Sequence, residues 1–385
     1  MNHFTIKWPL FAILLSSVLL TACNETSNSS EIGNTGIKNT SGQISELDLA
    51  IAEVLAFNII PAMENFNFQA QELNRSIKEF CPVSEKNMTE KGLVVLQNQW
   101  KTLNNAWFST LPFLFGPLET PADDLGLTPT YAYIDSFRID HINRTNSVRS
   151  RISSSINDVN FDENDIATYT YQKTGLLPLE ILLFEKSSNQ EQALATIVDE
   201  YLQTNKCSLL RGHASVLSDL SENIVTGWKE NYRLTGTGYA EMFINNTLDY
   251  YFTDNLDGSG EISTTRFITS LKNHSEYLAS RNIHTNSALL ANSYWDAISS
   301  SIMSTEAAFS GSPKTKLSIY SFISVTGNTD NADRIKSGFS ALTTTIENEN
   351  VNDMQVAAQS LHDIIETDLT SALNVSLGLN FSDGD

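Results

Sequence analysis

The sequence predicts an all-α protein. Apolar residues recur at three- and four-residue spacing along most of the chain, as they do on the buried face of an amphipathic helix. Few segments alternate apolar and polar residues with a period of two, so little β-sheet is expected. With 385 residues, the chain is long enough for two ordinary domains and a large core.

The first predicted helix carries apolar residues on both sides of a proline. Leu47, Ile51 and Val54 are followed by Leu55 at helical spacing. Pro61 should kink or interrupt the helix, because proline lacks a backbone N–H and its ring clashes with the preceding turn. The same spacing continues beyond it at Met63, Phe66, Leu73, Ile77 and Phe80.

The later helices are predicted from the same periodicity. The apolar face of the second consists of Leu93, Leu96, Trp100, Leu103 and Trp107. A third is predicted from Ile139, Ile142, Val148, Ile152 and Ile156. A long fourth, broken or bent near Cys207, carries Ile197, Tyr201, Leu209, Val216, Leu220 and Ile224. The last is marked by Leu361, Ile364, Ile365, Leu369 and Leu373.

Irregular segments separate these helices. Residues 112–130 are rich in Pro and Gly, and residues 157–178 show no helical periodicity. A weak change of composition at 187–189 predicts the boundary between two helical bundles, an N-terminal one at 43–186 and a C-terminal one at 187–385.

The N-terminus has the features of a bacterial lipoprotein signal. Residues 1–22 combine the positive charge of Lys7, a short apolar run and small residues before a cleavage point. The run, at 10–20, is too short to cross a bilayer as a finished helix. Leu20-Thr21-Ala22-Cys23 has lipobox order, so Cys23 is predicted to be the lipidated first residue of the mature protein. The alternatives are a simple secretory signal and an uncleaved anchor.

A polar segment follows the predicted lipid attachment site. Residues 23–42 consist largely of Asn, Ser, Thr and Gly, which is typical of a flexible tether. No later apolar run is long enough to cross a membrane, so the lipid would be the sole membrane anchor. Asn24 in place of Asp favours the outer membrane, facing the periplasm, under the usual sorting rule.

Charge and cysteine content narrow the partners and the compartment. The net charge of −21 argues against nucleic acid as a partner and against electrostatic binding to anionic lipid. With Cys23 taken by lipid, Cys81 and Cys207 remain. In an oxidising compartment they are expected to form a disulfide; two separate buried thiols are the alternative.

The segment that begins at Gly175 indicates a family. Gly175-Leu176-Leu177-Pro178-Leu179-Glu180 opens an apolar helix that runs to Phe184. It resembles the Gly-x-His-x-x-Glu segment of imelysin-like proteins. Further similarity, in the family's order, lies in Gln99-Trp100, Ala106-Trp107, Phe115-Gly116-Pro117, Arg138-Ile139-Asp140, Asn143-Arg144 and the ending 377–385.

The resemblance implies a fold and two kinds of activity. Imelysin-like proteins consist of two helical bundles packed side by side. They are associated with bacterial iron uptake, and imelysin itself was described as a metallopeptidase because of its His and Glu. The resemblance therefore predicts either a binding component of iron uptake or a metallopeptidase.

The family's histidine is Leu177 in this chain. A zinc site needs imidazole or carboxylate ligands, and a leucine side chain offers no ligand atom. No His-x-x-x-His pair occurs elsewhere, and no Ser-His-Asp motif or phosphate loop is present. Proteolysis by the proposed route is therefore unsupported, no metal ligands are assigned, and the cofactor is unknown, with a metal cation as one candidate.

Glu180 lies within an apolar run and is expected to have a partner. It is either a metal or ligand carboxylate facing a cleft, or a buried acid that caps backbone N–H groups or pairs with Arg138 or Arg144. We predict a polar cleft in which three segments meet. Its residues are Gly175, Pro178, Glu180, Gly116, Pro117, Arg138, Asp140 and Arg144.

These observations predict a lipid-anchored envelope protein that binds a small ligand or a partner protein in iron uptake, without catalysis. The alternatives are a divergent metallopeptidase, and a structural or interaction lipoprotein that binds no small ligand. Metal content and a protease assay with and without chelator distinguish the three.

The lipobox generates the first testable prediction. Cys23→Ser removes the thiol that accepts the diacylglycerol, so the variant should stay unacylated and move from the membrane fraction to the soluble envelope fraction. Fractionation with immunoblotting measures this. Unchanged membrane association of the variant would contradict the prediction.

Overall fold

A computed structural model describes residues 46–82, 88–122, 127–140, 142–186, 193–245, 263–281, 288–311 and 317–373. In these ranges the regular structure is helical, apart from an isolated antiparallel bridge between Pro121 and Pro129. The predicted all-α class is confirmed. The signal at 1–22, Cys23, the tether at 23–42 and the ending 377–385 lie outside the described residues.

The helices before residue 246 are α1 (Glu46–Val54), α2 (Ile60–Phe80), α3 (Glu90–Thr110), α4 (Thr130–Ile134), α5 (Phe137–Asp140), α6 (Thr145–Ser155), α7 (Leu176–Phe184), α8 (Leu194–Gln203), α9 (Lys206–Lys229) and α10 (Tyr239–Ile244). Those after residue 262 are α11 (Ser263–Ser280), α12 (Tyr294–Ser310), α13 (Ile319–Val325), α14 (Thr329–Glu347), α15 (Val351–Ile364) and α16 (Thr370–Leu373). Short 3₁₀ turns occupy parts of the two irregular segments.

Two groups of packed helices form the core. In the first, α2 lies between α3 and α9, and the Phe66 and Trp107 rings meet at 5.2 Å between centroids. In the second, α15 packs against α11 and α14. Helix α12 joins the groups by packing on α3. The expected boundary at 187–189 lies outside the described residues, and α9, which follows it, packs in the first group.

The irregularity predicted at Pro61 takes the form of a π-helical turn. Residues Leu55–Ile59 are π-helical and join α1 to α2, which begins at Ile60. A proline offers no N–H to the carbonyl of the preceding turn, and a wider π turn accommodates that missing bond without ending the helix. The apolar face continues from Leu55 to Met63 without leaving the core.

The segment predicted as the third helix contains two helices. Helix α5 ends at Asp140, and α6 begins at Thr145. Between them the Asn143 side chain accepts a hydrogen bond from the Thr145 N–H at 3.0 Å. Such a local side-chain bond competes with helical hydrogen bonding. The helix is therefore interrupted here, although the apolar periodicity continues across the break. The predicted break near Cys207 is observed, because α8 ends at Gln203 and α9 begins at Lys206.

The predicted disulfide is present. Cys81 directly follows α2, Cys207 lies in the first turn of α9, and the two are bonded with a Cα–Cα distance of 5.4 Å. The Arg211 guanidinium donates to the Cys81 carbonyl at 2.9 Å, which adds a second link between the same helices. The bridge closes a loop of 126 residues.

Removal of the disulfide should destabilise the protein. A bridge over so long a loop restricts the unfolded chain, so Cys81→Ser/Cys207→Ser should lose about 2–5 kcal/mol of unfolding free energy. Urea unfolding of the double variant and of the oxidised wild type measures the difference. Labelling of both thiols in denatured, unreduced wild-type protein would show that the bridge is absent.

Candidate functional site

Helix α7 is surrounded by protein, since all nine of its residues are buried. Gly175 precedes it with φ +84°, and a Cβ there would lie 2.1 Å from the Ile134 carbonyl oxygen. Only glycine fits both that backbone conformation and that approach. The Trp100 indole donates to the Leu176 carbonyl at 3.3 Å, so α3 and α4 together fix where α7 begins.

Glu180 of α7 binds a turn that comes from the second group of helices. Its carboxylate is 1% exposed and accepts the Ala291 N–H at 3.0 Å. The Ala288 and Leu290 N–H groups also bond to it. Of the interpretations offered by the sequence, capping of backbone N–H groups is the one observed. The N–H groups belong to a turn more than a hundred residues away, and not to α7 itself.

Burial changes the acidity of Glu180. Desolvation raises its pKa to about 7, and the nearby Glu185 charge acts in the same direction. The three backbone N–H groups favour the carboxylate and oppose the rise. The carboxyl group is therefore poised to change charge near neutral pH.

The residues at the family's His and Glu positions do not fit a metal ion. Leu177 is 6% exposed and has no ligand atom, and the Glu180 carboxylate already accepts backbone N–H groups. In the part of the chain that the structure describes, no group of three or more His, Cys, Asp or Glu side chains could hold a metal ion.

A second polar group lies where α5 meets α11. The Arg138 guanidinium carbon lies 3.4 Å from the centroid of the Tyr277 ring, and its Nε and Nη1 atoms are buried without a hydrogen-bond partner. Burial lowers the pKa of Arg138 to about 10, while Asp135 and then Tyr131 act against this shift. The described carboxylate that acts on Arg138 is therefore Asp135, and not Glu180.

Arg281 follows α11 directly and faces the same tyrosine. It is 1% exposed, its guanidinium carbon lies 4.5 Å from the Tyr277 centroid, and its three guanidinium nitrogens have no hydrogen-bond partner of standard geometry. Burial lowers its pKa to about 10, opposed first by the Tyr294 hydroxyl and then by Asp135. That hydroxyl is close to the guanidinium without forming a well-aligned hydrogen bond.

His274 and Asp135 complete what we call the arginine cluster: Arg138, Arg281, His274 and Asp135. Both ring nitrogens of His274 are buried without partners, and burial together with the two arginines holds its pKa well below the usual range. Its ring is therefore neutral. Asp135 is 3% exposed and accepts the Trp107 indole N–H at 3.3 Å and the Phe137 N–H at 3.2 Å.

The arginine cluster has more positive than negative charge. Two guanidiniums share one carboxylate, and that carboxylate is already bound by an indole and a backbone N–H. A buried charge without a matched partner is costly, and guanidinium donors pair best with carboxylate or phosphate oxygens. The cluster is chemically suited to an anionic group.

The remaining residues of the predicted cleft have other contacts. Gly116, at φ +61°, lies against the Tyr239 ring, and Pro117 lies against Gly227 near the end of α9. Both lie beside an aromatic cluster that is formed by Phe115, Trp228, Tyr239 and Phe243. These contacts give the two residues a structural role.

Arg144 and Asp140, which were also predicted to line the cleft, lie at the two ends of the loop between α5 and α6. Arg144 donates to the Ser136 and Ile142 carbonyls, each at 3.4 Å, and so holds the loop between α5 and α6. Asp140 is the last residue of α5, and its side chain lies outside the described part of the structure. Pro178 is buried in the first turn of α7, where proline is tolerated.

Sequence reasoning found Arg138 but missed Arg281, His274 and Asp135. A signal for two of them was present. His274, Tyr277 and Arg281 are three and four residues apart, which places them on one helical face with Leu271 and Leu278. Polar residues on an otherwise apolar stripe mark a buried polar group. Asp135 lies between two short helices, where no periodicity identifies it.

The fold places this chain in the class of all-α proteins, with a buried polar cluster between two groups of helices. Its family follows from comparison with known proteins. The family model for imelysin matches residues 59–372. The chain therefore belongs to the imelysin family. No curated protein matches the chain.

Two solved structures share the fold. An imelysin-like protein from Psychrobacter arcticum 273-4 has a TM-score of 0.63 and 16% sequence identity, covering 88% of this chain and 99% of that one. A putative iron-regulated protein A precursor from Parabacteroides distasonis ATCC 8503 has a TM-score of 0.54 and 14% identity, covering 86% and 97%. At these identities the likeness concerns the fold alone.

Glu180 should make stability depend on pH. Because the folded-state pKa of about 7 lies above the reference value of 4.5, the folded state retains the proton longer, and stability falls as the pH rises between these values. The loss should be on the order of 3 kcal/mol. Glu180→Gln keeps an oxygen acceptor without the charge, so it should remove this part of the pH dependence.

Urea unfolding at pH 4.5, 5.5, 6.5 and 7.5 measures the unfolding free energy of the variant and of the wild type. The difference between the two isolates Glu180, because the histidines contribute equally to both proteins. Glu347→Gln, at an exposed position, is the matched control. Parallel curves for wild type and Glu180→Gln would mean that Glu180 does not change charge in this range.

Proposed function

We propose that this imelysin-family protein is a non-enzymatic binding protein of the cell envelope, and that it holds an anionic ligand on Arg138 and Arg281. One observation carries the proposal. The Arg281 guanidinium is buried, and within the described structure its three nitrogens have no hydrogen-bond partner of standard geometry, although the Tyr294 hydroxyl is close. A ligand carboxylate or phosphate would supply the missing acceptors.

Two other cations of the described structure, one buried and one half-buried, support this interpretation. Lys206, which is fully buried, donates to the Glu185 carbonyl at 2.6 Å and to the Glu200 carboxylate at 2.8 Å. Arg149 holds the Glu185 carboxylate through two hydrogen bonds, at 2.6 and 2.7 Å. The fold thus matches buried charge where the role is structural, and Arg281 departs from that pattern.

The proposed ligand is a small carboxylate-bearing molecule, including an anionic chelate of iron. The two guanidiniums can hold a carboxylate through paired hydrogen bonds, and the neutral His274 adds a further donor or acceptor. The link to iron is suggested by the name of the Parabacteroides neighbour, an iron-regulated protein A precursor. A role beside iron-uptake proteins is therefore part of the proposal.

The proposed location follows from the sequence. A lipid on Cys23 and a tether at 23–42 would hold the helical domain at the outer membrane, facing the periplasm. Among the described helices, none is long and apolar enough to cross a membrane.

Arg281→Met separates a binding role from a structural one. Replacing an unmatched buried charge with an apolar side chain of similar length should leave the ligand-free protein as stable as wild type or up to about 4 kcal/mol more stable. The same change should weaken citrate binding at least about tenfold, since a charged hydrogen-bonded partner is lost. Urea unfolding and isothermal titration calorimetry measure the two effects.

Arg75→Gln, which alters an exposed arginine, is the control and should change neither quantity. Ferric citrate and phosphate, titrated alongside citrate, test the iron chelate and the choice of anion. Strong destabilisation by Arg281→Met, together with no binding of any of these anions to wild type, would refute the proposal. So would chelator-sensitive hydrolysis of casein by the wild-type protein.

A further inference from the structure

A cavity of about 190 Å³ lies between the turn at 288–293, the start of α12 and the turn that follows α14. It is separate from the arginine cluster in composition, because no arginine or lysine is among its described lining residues. Its lining residues include Trp295, Asp296 and Glu349.

The backbone around this cavity is strained. Five non-glycine residues of the described chain have positive φ, and three of them line the cavity: Ala288 at 75°, Asn292 at 49° and Glu349 at 53°. Alanine and glutamate rarely adopt this conformation, and such strain is concentrated at binding sites, where the surrounding structure maintains it. Here the Ser293 N–H donates to the Ala288 carbonyl at 3.0 Å, which closes the turn.

The residue types that line the cavity also indicate a ligand. Trp295 is half-buried and packs edge-on against Tyr294 at 4.9 Å between centroids, so its ring is held in place. Asp296 and Glu349 are exposed and bring negative charge to the same cavity.

We propose that this cavity binds a small organic cation, an ammonium or guanidinium group. The cation would lie against the Trp295 ring and pair with Asp296 and Glu349. An anion is disfavoured because the described lining residues include two acidic side chains and no basic one. The proposal does not depend on the arginine cluster, which attracts the opposite charge.

The cation can come from a free amine or from a lysine side chain of a partner protein. Titration of the mature protein with n-butylammonium, followed through the Trp295 indole N–H signal in ¹⁵N-resolved NMR, tests the site. Trp295→Phe assigns the signal. n-Butanol is the uncharged probe of equal size, and Nα-acetyl-lysine methylamide represents a side chain in a peptide.

We expect n-butylammonium to shift the Trp295 signal in a saturable way and n-butanol to leave it unchanged. Asp296→Asn/Glu349→Gln should weaken binding at least about fivefold, whereas Glu347→Gln, a nearby exposed glutamate outside the lining, should not. Equal binding of the acetyl-lysine probe supports a protein lysine as the source, and preference for n-butylammonium supports a free amine. Equal binding of n-butanol, or unchanged affinity in the double variant, would overturn the proposal.

Discussion

The hydrogen bonding of Glu180 to the turn at 288–291 is the interaction on which the arrangement of this protein depends. Helix α7 is buried on every side, so a carboxylate within it must find its partners inside the protein. Those partners are N–H groups of a turn that leads into α12, which in turn packs on α3. One side chain of the first group of helices thereby positions the start of α12, the helix that joins the two groups.

The same turn serves both proposed sites. Its backbone N–H groups bind Glu180, the Tyr294 hydroxyl that follows lies beside Arg281, and Trp295 with Asp296 lines the cavity. The strained conformations of Ala288 and Asn292 are maintained by these contacts. A change in the charge of Glu180 would therefore act on the segment that both sites share.

Four buried or half-buried cations in the described part of the chain fall into two kinds. Around Lys206 and Arg149, each cation has carboxylate or carbonyl acceptors at short distances, and the disulfide at Cys207 holds the same end of α9. The Arg138 and Arg281 guanidiniums lie over Tyr277, and within the described structure two nitrogens of Arg138 and all three of Arg281 have no hydrogen-bond acceptor of standard geometry. The difference separates a network that supports the fold from a cluster that is suited to bind an anion.

The sequence by itself determined the helical class, the break before Cys207, the disulfide and the resemblance to the imelysin family. Each of these depends on local spacing or residue type, which periodicity and motifs report directly. It also indicated that Glu180 needs a partner, but not which one, since its partners lie more than a hundred residues away. Only the tertiary structure placed Arg138 and Arg281 on one tyrosine and the 288–291 turn on α7, because long-range packing, and not local pattern, decides which buried groups meet.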